Sequence, residues 1–98
     1  MAIVTIIGAG MMGSALAFPA RENGNEVRLV GTPLDREIID TCVKTNRHPK
    51  FTRDFPEGMK YYQVEDMESA VNGADMVIVN GPGAADMARV YGEELADL

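Results

Sequence analysis

Apolar runs and amphipathic stretches alternate along the chain, which is the pattern of strands alternating with helices. Residues 2–7, AIVTII, form a continuous apolar and β-branched run, typical of a parallel strand covered on both faces. Residues 11–23 then repeat apolar side chains at three- and four-residue spacing, which predicts a helix that Gly24 ends as a C-cap. The spaced positions are Met12, Ala15, Leu16 and Pro19.

The second strand and helix have clearer boundaries. Residues 26–30, EVRLV, predict the strand, and residues 31–46 predict the helix. Thr32 is the expected N-cap, Pro33 suits the first helical position, and Asp35 lies near the positive end of the helix dipole. The predicted buried stripe of this helix consists of Leu34, Ile38, Ile39, Cys42 and Val43.

The remaining pattern is weaker until the fourth strand. Residues 47–59 contain two prolines, a glycine and no period, which predicts an exposed connection. Residues 61–64 predict a third strand, Asp66 is the expected cap of a short helix over residues 67–73, and residues 76–80, MVIVN, predict a strongly apolar fourth strand. A last helix is expected to align Met87, Val90, Tyr91, Leu95 and Leu98.

Four strands alternating with four helices indicate the α/β class. Right-handed helical crossovers then predict a partial Rossmann-like parallel sheet with its four strands in the order 3-2-1-4. The chain has 98 residues, of which 46% are hydrophobic and 24% charged, and these values suit a single domain.

The first strand leads into three glycines with the spacing G-x-G-x-x-G. We expect Gly8 to allow the sharp turn into the helix, Gly10 to let a pyrophosphate approach the backbone, and Gly13 to allow close packing of helix on strand. The backbone N–H groups of Met11 and Met12 would point at the bound anion. The strand before this pattern and the helix after it are the context that a dinucleotide-binding loop requires.

The end of the second strand bears on the choice of cofactor. NAD-selective sites place an acidic residue there, whereas this chain has VGTPLD, with no acid at the tip. Room at Thr32, with Arg36 or Arg28 to neutralise a 2′-phosphate, favours NADP over NAD. The alternative is that Thr32 is only an N-cap and Arg36 only a solvated residue.

Other candidates for chemistry are few. Asn80 and Gly81 follow the fourth strand and are expected either to edge the nicotinamide ribose or to form a plain turn. His48 has no carboxylate close in sequence and is interpreted as a surface histidine, and the single Cys42 as an apolar filler. No metal site and no catalytic residue is predicted.

Charge and hydropathy exclude several classes of partner. The net charge is −6 and no basic cluster stands out, which argues against nucleic acid. No apolar stretch approaches the roughly 18 residues of a membrane span, and no cationic segment precedes the apolar start. We therefore expect neither nucleic acid nor a membrane span. The single cysteine suits a cytoplasmic location, and the glycine loop makes a nicotinamide dinucleotide the expected partner.

Four segments together resemble the amino-terminal part of NAD(P)-dependent glycerol-3-phosphate dehydrogenases, most of all the archaeal type. They are IVTIIGAGMMGSALA, ENGNEVRLVGT, the connection with RHP, and VEDMESAVNGADMVIVNGP. The resemblance implies reduction of dihydroxyacetone phosphate to glycerol 3-phosphate by hydride from a nicotinamide, feeding phospholipid synthesis. It also implies that Met11 and Met12 meet the pyrophosphate through backbone groups and that Thr32 stands at the adenosine ribose.

The same resemblance sets the expected domain organisation. Residues 1–98 would be the first part of a dinucleotide-binding domain, and the remainder of that domain and the substrate domain with the family's catalytic lysines would lie beyond Leu98. An apolar fourth strand without its next neighbour predicts self-association through that strand or the last helix. The alternatives are the same part of a ketopantoate-reductase-like or coenzyme F420-dependent NADP oxidoreductase, or a free-standing nucleotide-binding or interaction module.

Overall fold

The computed structural model describes residues 2–79, in which a four-stranded parallel sheet is packed between helices. The strands are β1 (Ile3–Ile7), β2 (Glu26–Val30), β3 (Lys60–Tyr62) and β4 (Met76–Val79). The α-helices are α1 (Met11–Glu22), α2 (Arg36–Thr45) and α3 (Met67–Val71), and short 3-10 turns over Pro33–Asp35 and Val64–Asp66 precede the last two. The predicted last helix lies outside the described residues.

The strand order is β3-β2-β1-β4, and every pairing is parallel. Ile7 pairs with Val30 on one side and with Val79 on the other, so the carboxyl ends of three strands lie at one edge of the sheet. The predicted α/β class and the order 3-2-1-4 are therefore confirmed. β1 is an inner strand covered on both faces of the sheet, which is why four of its five residues are apolar, and its buried Thr5 hydroxyl donates to Ala70 O at 2.6 Å.

Each face of the sheet has its own apolar core, because successive side chains of a strand point to opposite faces. On one face α1 and α2 pack with the segment 47–59, and the buried residues are Val4, Ile6, Ala9, Ala17, Phe18, Val27, Leu29, Ile39, Cys42 and Phe55. On the other face α3 packs, and the buried residues are Ile7, Val30, Val64, Met67, Ala70 and Val71.

The face of α1 that is buried differs from the predicted one. Ala15 and Pro19 are exposed and Leu16 is 40% exposed, whereas the sheet is contacted by small residues followed by one aromatic ring. These buried residues are Gly13, Ser14, Ala17 and Phe18. The small side chains allow the first turns of α1 to approach the sheet closely, and Phe18 fills the wider space beyond them.

The buried stripe of α2 is narrower than predicted. Ile39 and Cys42 are buried, but Leu34 is 76% exposed and Val43 is 64% exposed. Leu34 lies in the 3-10 turn, where three residues make a turn instead of 3.6, so it does not continue the row of the α-helix that follows. Asp66 also differs from prediction, since its side chain makes no cap hydrogen bond to α3.

The segment 47–59 is not the exposed connection that its composition predicts. His48 is 1% exposed and Phe55 is 3% exposed, and Phe55 stacks on Phe18 with ring centroids 5.0 Å apart. Asn46 closes the segment, since its backbone C=O accepts from Phe55 N–H at 2.7 Å and its Nδ2 donates to Phe55 O at 2.7 Å. An irregular backbone thus carries part of the core.

Candidate dinucleotide-binding site

The glycine loop joins the carboxyl end of β1 to the start of α1. Gly8 has φ 108°, a conformation that side-chain-bearing residues rarely adopt, and its N–H donates to Val30 O at 2.8 Å. Gly10 is the N-cap with φ −66° and ψ 179°, and its C=O accepts the first helical bond from Ser14 N at 2.9 Å. The turn predicted at Gly8 and the helix start predicted at Met11 are both present.

Ala9, between the first two glycines, is fixed by side chains from three places in the chain. Its N–H donates to Asp35 Oδ2 at 3.1 Å. Its C=O accepts from Ser14 Oγ at 3.1 Å and lies 3.1 Å from His48 Nε2. Ala9 and Ser14 are fully buried and His48 nearly so, so the two contacts of the Ala9 carbonyl are shielded from water, whereas the bond to Asp35 is partly buried.

Thr32 stands at the tip of β2, where it was predicted to cap the next helix. Its Oγ1 accepts from Leu34 N at 3.3 Å and donates to Asp35 Oδ2 at 2.9 Å, and its own N–H donates to the same oxygen at 3.0 Å. This reciprocal capping box confirms the cap, and Thr32 is 1% exposed.

The prediction that no acidic side chain lies at the tip of β2 is wrong in the folded chain. Asp35 lies three residues after Thr32 in the chain, yet the 3-10 turn folds its carboxylate back onto the backbone of Thr32 and of Ala9. A single carboxylate oxygen therefore ties the glycine loop to the tip of β2.

The two arginines considered for a 2′-phosphate lie in different surroundings. Arg36 makes a two-bond ion pair with Glu65, at 2.7 and 3.1 Å, which lowers the pKa of Glu65 to about 2. Arg36 is the first residue of α2, and its side chain is 51% exposed. Arg28 instead bonds Glu26 and carbonyl oxygens at the end of α3, among them Asn72 O at 2.6 Å, so it does not curl toward the tip of β2.

His48 is a buried residue rather than the surface histidine that was predicted. Burial lowers its pKa, and the bond to Ala9 O opposes this shift. The ring stacks on Phe51 with centroids 4.8 Å apart, and its Nδ1 accepts from Lys50 N at 3.0 Å. Because Nδ1 accepts and Ala9 O is an acceptor, the ring is neutral with its proton on Nε2.

The other predicted site residues are positioned as follows. Gly13 is buried in α1, and the backbones of Met11 and Met12 form its first turn. Asn80 and Gly81 lie outside the described residues. Burial raises the pKa of the Cys42 thiol to about 11, in keeping with its interpretation as an apolar filler.

No group of three or more potential metal ligands occurs among residues 2–79. None of the helices described there has the length and hydropathy to cross a bilayer.

The family model for the N-terminus of NAD-dependent glycerol-3-phosphate dehydrogenase matches residues 3–91. The chain belongs to this family. The glycine loop, the tip of β2 and the four-stranded sheet all lie within the matched range, so the Rossmann-like fold and the dehydrogenase resemblance agree. The archaeal-type likeness noted from sequence motifs is confirmed by the relatives described next.

Several curated glycerol-3-phosphate dehydrogenases are similar to the chain. The NADP(+)-dependent enzyme of Archaeoglobus fulgidus is 39% identical over 77 residues, which is 79% of this chain and 23% of that protein. The NAD(P)+ enzyme of Leuconostoc citreum is 34% identical over 97 residues, 99% of this chain and 28% of that protein. The NAD(P)+ enzyme of Oceanobacillus iheyensis is 36% identical over 83 residues, which is 84% of this chain and 23% of that protein. The chain thus spans about a quarter of the length of these relatives.

Sequence reasoning did not assign roles at the loop to three residues: Ser14, Asp35 and His48. Asp35 carried a signal, because its spacing from Thr32 is that of a capping box, whose carboxylate turns back toward the cap. Ser14 and His48 carried none, because their shared partner is a main-chain oxygen that any residue could supply, and His48 is 39 residues away from it.

Proposed function

We propose that this chain is the NAD(P)-binding first part of a glycerol-3-phosphate dehydrogenase. The glycine loop receives the pyrophosphate, through Gly8, Gly10, Gly13 and the backbone N–H groups of Met11 and Met12. Thr32 lies at the adenosine ribose. The observation that carries this proposal is a family match whose range includes a positive-φ Gly8 turn leading directly into a twelve-residue helix.

The described residues suit a diphosphate at the start of α1. No acidic residue occupies the first turn of this helix, so its free N–H groups and dipole favour an anion. Gly10 has no side chain to occupy the space in front of them. When bound, the nicotinamide cofactor supplies a hydride; the residues of this chain bind and orient it.

We propose NADP as the preferred cofactor, with NAD as the alternative. The Archaeoglobus relative is named as NADP(+)-dependent, and Arg36, four residues after Thr32 in the chain, has a half-exposed side chain. Arg36 is paired with Glu65, so a 2′-phosphate would share it with that carboxylate or replace the carboxylate. The absence of an acid from the tip of β2 no longer supports the preference, since Asp35 reaches that tip.

For the whole protein we propose interconversion of dihydroxyacetone phosphate and glycerol 3-phosphate in the cytoplasm, in support of phospholipid synthesis. Hydride would pass between the nicotinamide and the substrate's middle carbon, with a proton on the oxygen. Asn80 and Gly81 are proposed to edge the nicotinamide ribose. No catalytic residue is assigned within the chain, and the phosphorylated three-carbon substrate belongs to the whole protein only.

Self-association through β4 or the predicted last helix remains a proposal. Met76 is 55% exposed and Val79 is 36% exposed, and among the described residues β4 pairs only with β1. Sedimentation at micromolar concentrations tests it: the unchanged chain should associate, and Met76→Lys should associate less. A chain that stays monomeric would contradict the proposal.

Nucleotide titration of the Gly10→Val variant tests the binding site. The Gly10 backbone angles are open to any residue, so the fold should survive, while the valine side chain would occupy the pyrophosphate position and weaken both NADPH and NADH by at least about a hundredfold. Ala15→Ser, on the exposed face of the same helix, is the matched control and should bind normally. Equal affinity in the valine variant would refute the site.

The preference for NADP is tested separately with Arg36→Gln. NADPH should lose about tenfold in affinity and NADH almost nothing, because only the first carries a 2′-phosphate. Equal changes for the two cofactors, or tighter binding of NADH by the unchanged chain, would refute the preference.

A further inference from the structure

The peptide between Ala9 and Gly10 has its orientation fixed from inside the protein. The Ala9 C=O points inward to Ser14 Oγ and His48 Nε2, each 3.1 Å away. No cis peptide occurs among the described residues, and a trans peptide is planar with its C=O and N–H pointing in opposite directions. The N–H of Gly10 is therefore directed away from the buried Ser14 and His48 side chains.

We propose that His48, together with Ser14, is a positioning residue for the dinucleotide, because it holds the Ala9 carbonyl and so aims the Gly10 N–H at the pyrophosphate. The inference rests on the proposed function and adds a role for residues that the glycine fingerprint does not contain. His48 touches no phosphate itself, and it acts through one main-chain peptide.

His48 is well held for this task. Its Nδ1 accepts from Lys50 N at 3.0 Å, and its ring stacks on Phe51, so both the rotation of the ring and the position of its proton are set. Preorganised N–H groups bind an anion more tightly because no ordering is required at the moment of binding. The segment 47–59 thereby contributes to the loop through a bond to its main chain.

Because of Ser14, the proposed positioning role of His48 can be distinguished from a purely structural role. The Ala9 oxygen keeps the Ser14 hydrogen bond when His48 is replaced, so no buried acceptor is left without a partner. Loss of His48 should therefore loosen the orientation of the peptide more than it destabilises the fold.

The test compares His48→Asn and His48→Gln in the 98-residue chain. Glutamine places its amide near the position of Nε2 and keeps a donor for Ala9 O, whereas asparagine reaches only the position of Nδ1 and keeps the Lys50 contact alone. We expect NADPH and NADH to bind about fivefold to tenfold more weakly to the Asn variant, equally for both, and within about twofold of normal to the Gln variant.

A spectroscopic readout accompanies the titration. The amide signal of Gly10 in a proton–nitrogen correlation spectrum should move in the Asn variant and return in the Gln variant. Cys42→Ala is the control for general loosening, because Cys42 is buried in the same core but belongs to α2 and not to the loop. It should lower the thermal midpoint and leave both affinities unchanged.

Two results would overturn the inference. If the unchanged chain binds nucleotide and Gly10→Val does not, but the Asn variant binds normally, the role of His48 is refuted and the proposed function stands. If the unchanged chain binds neither nucleotide, both are refuted. Ser14→Ala serves where the Asn variant does not fold: it removes the other bond to the same oxygen and should weaken both nucleotides by about twofold to fivefold, and unchanged affinity would refute the proposal.

Discussion

The glycine loop and the segment 47–59 are both irregular in backbone, yet they are shaped by opposite means. The sharp turn of the loop and the start of α1 are set by the residues of the loop itself, through the positive φ of Gly8 and the N-cap at Gly10. The segment 47–59 takes its form from distant partners, since His48 and Phe55 are buried against α1 and the loop. A conformation set by local residues can be predicted from the sequence, whereas one set by tertiary packing cannot.

The two regions also meet, because His48 bonds the Ala9 carbonyl inside the loop. The segment therefore supports the loop from the core side, while Asp35 supports it from the tip of β2. Three substitutions and one change of pH test whether the segment depends on packing and the loop on its own backbone conformation.

Phe55→Ala should have the largest effect. Phe55 is 3% exposed and stacks on Phe18, so its removal leaves a cavity, and the free energy of unfolding should fall by about 3–5 kcal/mol. Chemical denaturation gives this value. Thr52→Ala, exposed in the same segment, is the control and should stay within about 0.5 kcal/mol. A loss below about 1 kcal/mol in the Phe55 variant would mean that the segment does not carry core packing.

Gly8→Ala should have the next largest effect, of about 1–3 kcal/mol in unfolding free energy, because a residue with a Cβ is strained at φ 108°. The contrast is with Gly10→Ala, whose φ of −66° is ordinary and whose loss should stay within about 1 kcal/mol. Denaturation of the two variants side by side measures the difference. Equal losses would show that the turn does not depend on the conformation of Gly8.

Acidification should weaken the fold through His48. Burial lowers the folded pKa of His48 below its ordinary 6.5, with the charges of Lys50 and Asp35 acting in opposite directions. As pH falls through 6.5, the unfolded chain takes up a proton that the folded chain does not, so the unfolding free energy falls. Stability measured between pH 7.5 and 5.5 should decline less in His48→Gln. Identical slopes would contradict a neutral buried ring.

Arg53→Gln should have the smallest effect. The Arg53 guanidinium lies 4.0 Å above the Phe18 ring and 3.5 Å from Glu22, but its side chain is 66% exposed. Exposed contacts of this kind contribute about 0.5–1 kcal/mol or less. Denaturation in low and high salt should show a loss no larger than this. A fall in unfolding free energy as large as that of Phe55→Ala would mean that surface contacts, and not core packing, stabilise the segment.

Several features follow from short-range rules and could be read directly. The sheet order came from four apolar runs and the handedness of crossovers, and the cap at Thr32 came from its residue type and the proline after it. The turn at Gly8 came from three glycines behind a strand. Each apolar run, the cap and the turn depend on residues within a few positions of one another, and the handedness rule is general, so the chain displays these features without its fold.

Other features failed for a common reason. Leu34 and Val43 are exposed and Ala15 is on the outer face of α1, although their spacing suited a buried stripe. Spacing shows that a helix is amphipathic, but the neighbouring elements decide which face is covered. His48 was wrongly predicted to lie at the surface because the composition of the segment around it is typical of an exposed loop. Its burial is set by elements far away in the sequence.

The sequence by itself determined the strand order, the turn at Gly8, the start of α1 and the family. Only the tertiary structure decided that Asp35 reaches the Ala9 N–H and that His48 reaches the Ala9 carbonyl across 39 positions. The physical reason is that both bonds end on main-chain atoms, which every residue carries. A hydrogen bond to the backbone leaves no mark on the sequence of its partner, so it is found only when the chain is folded.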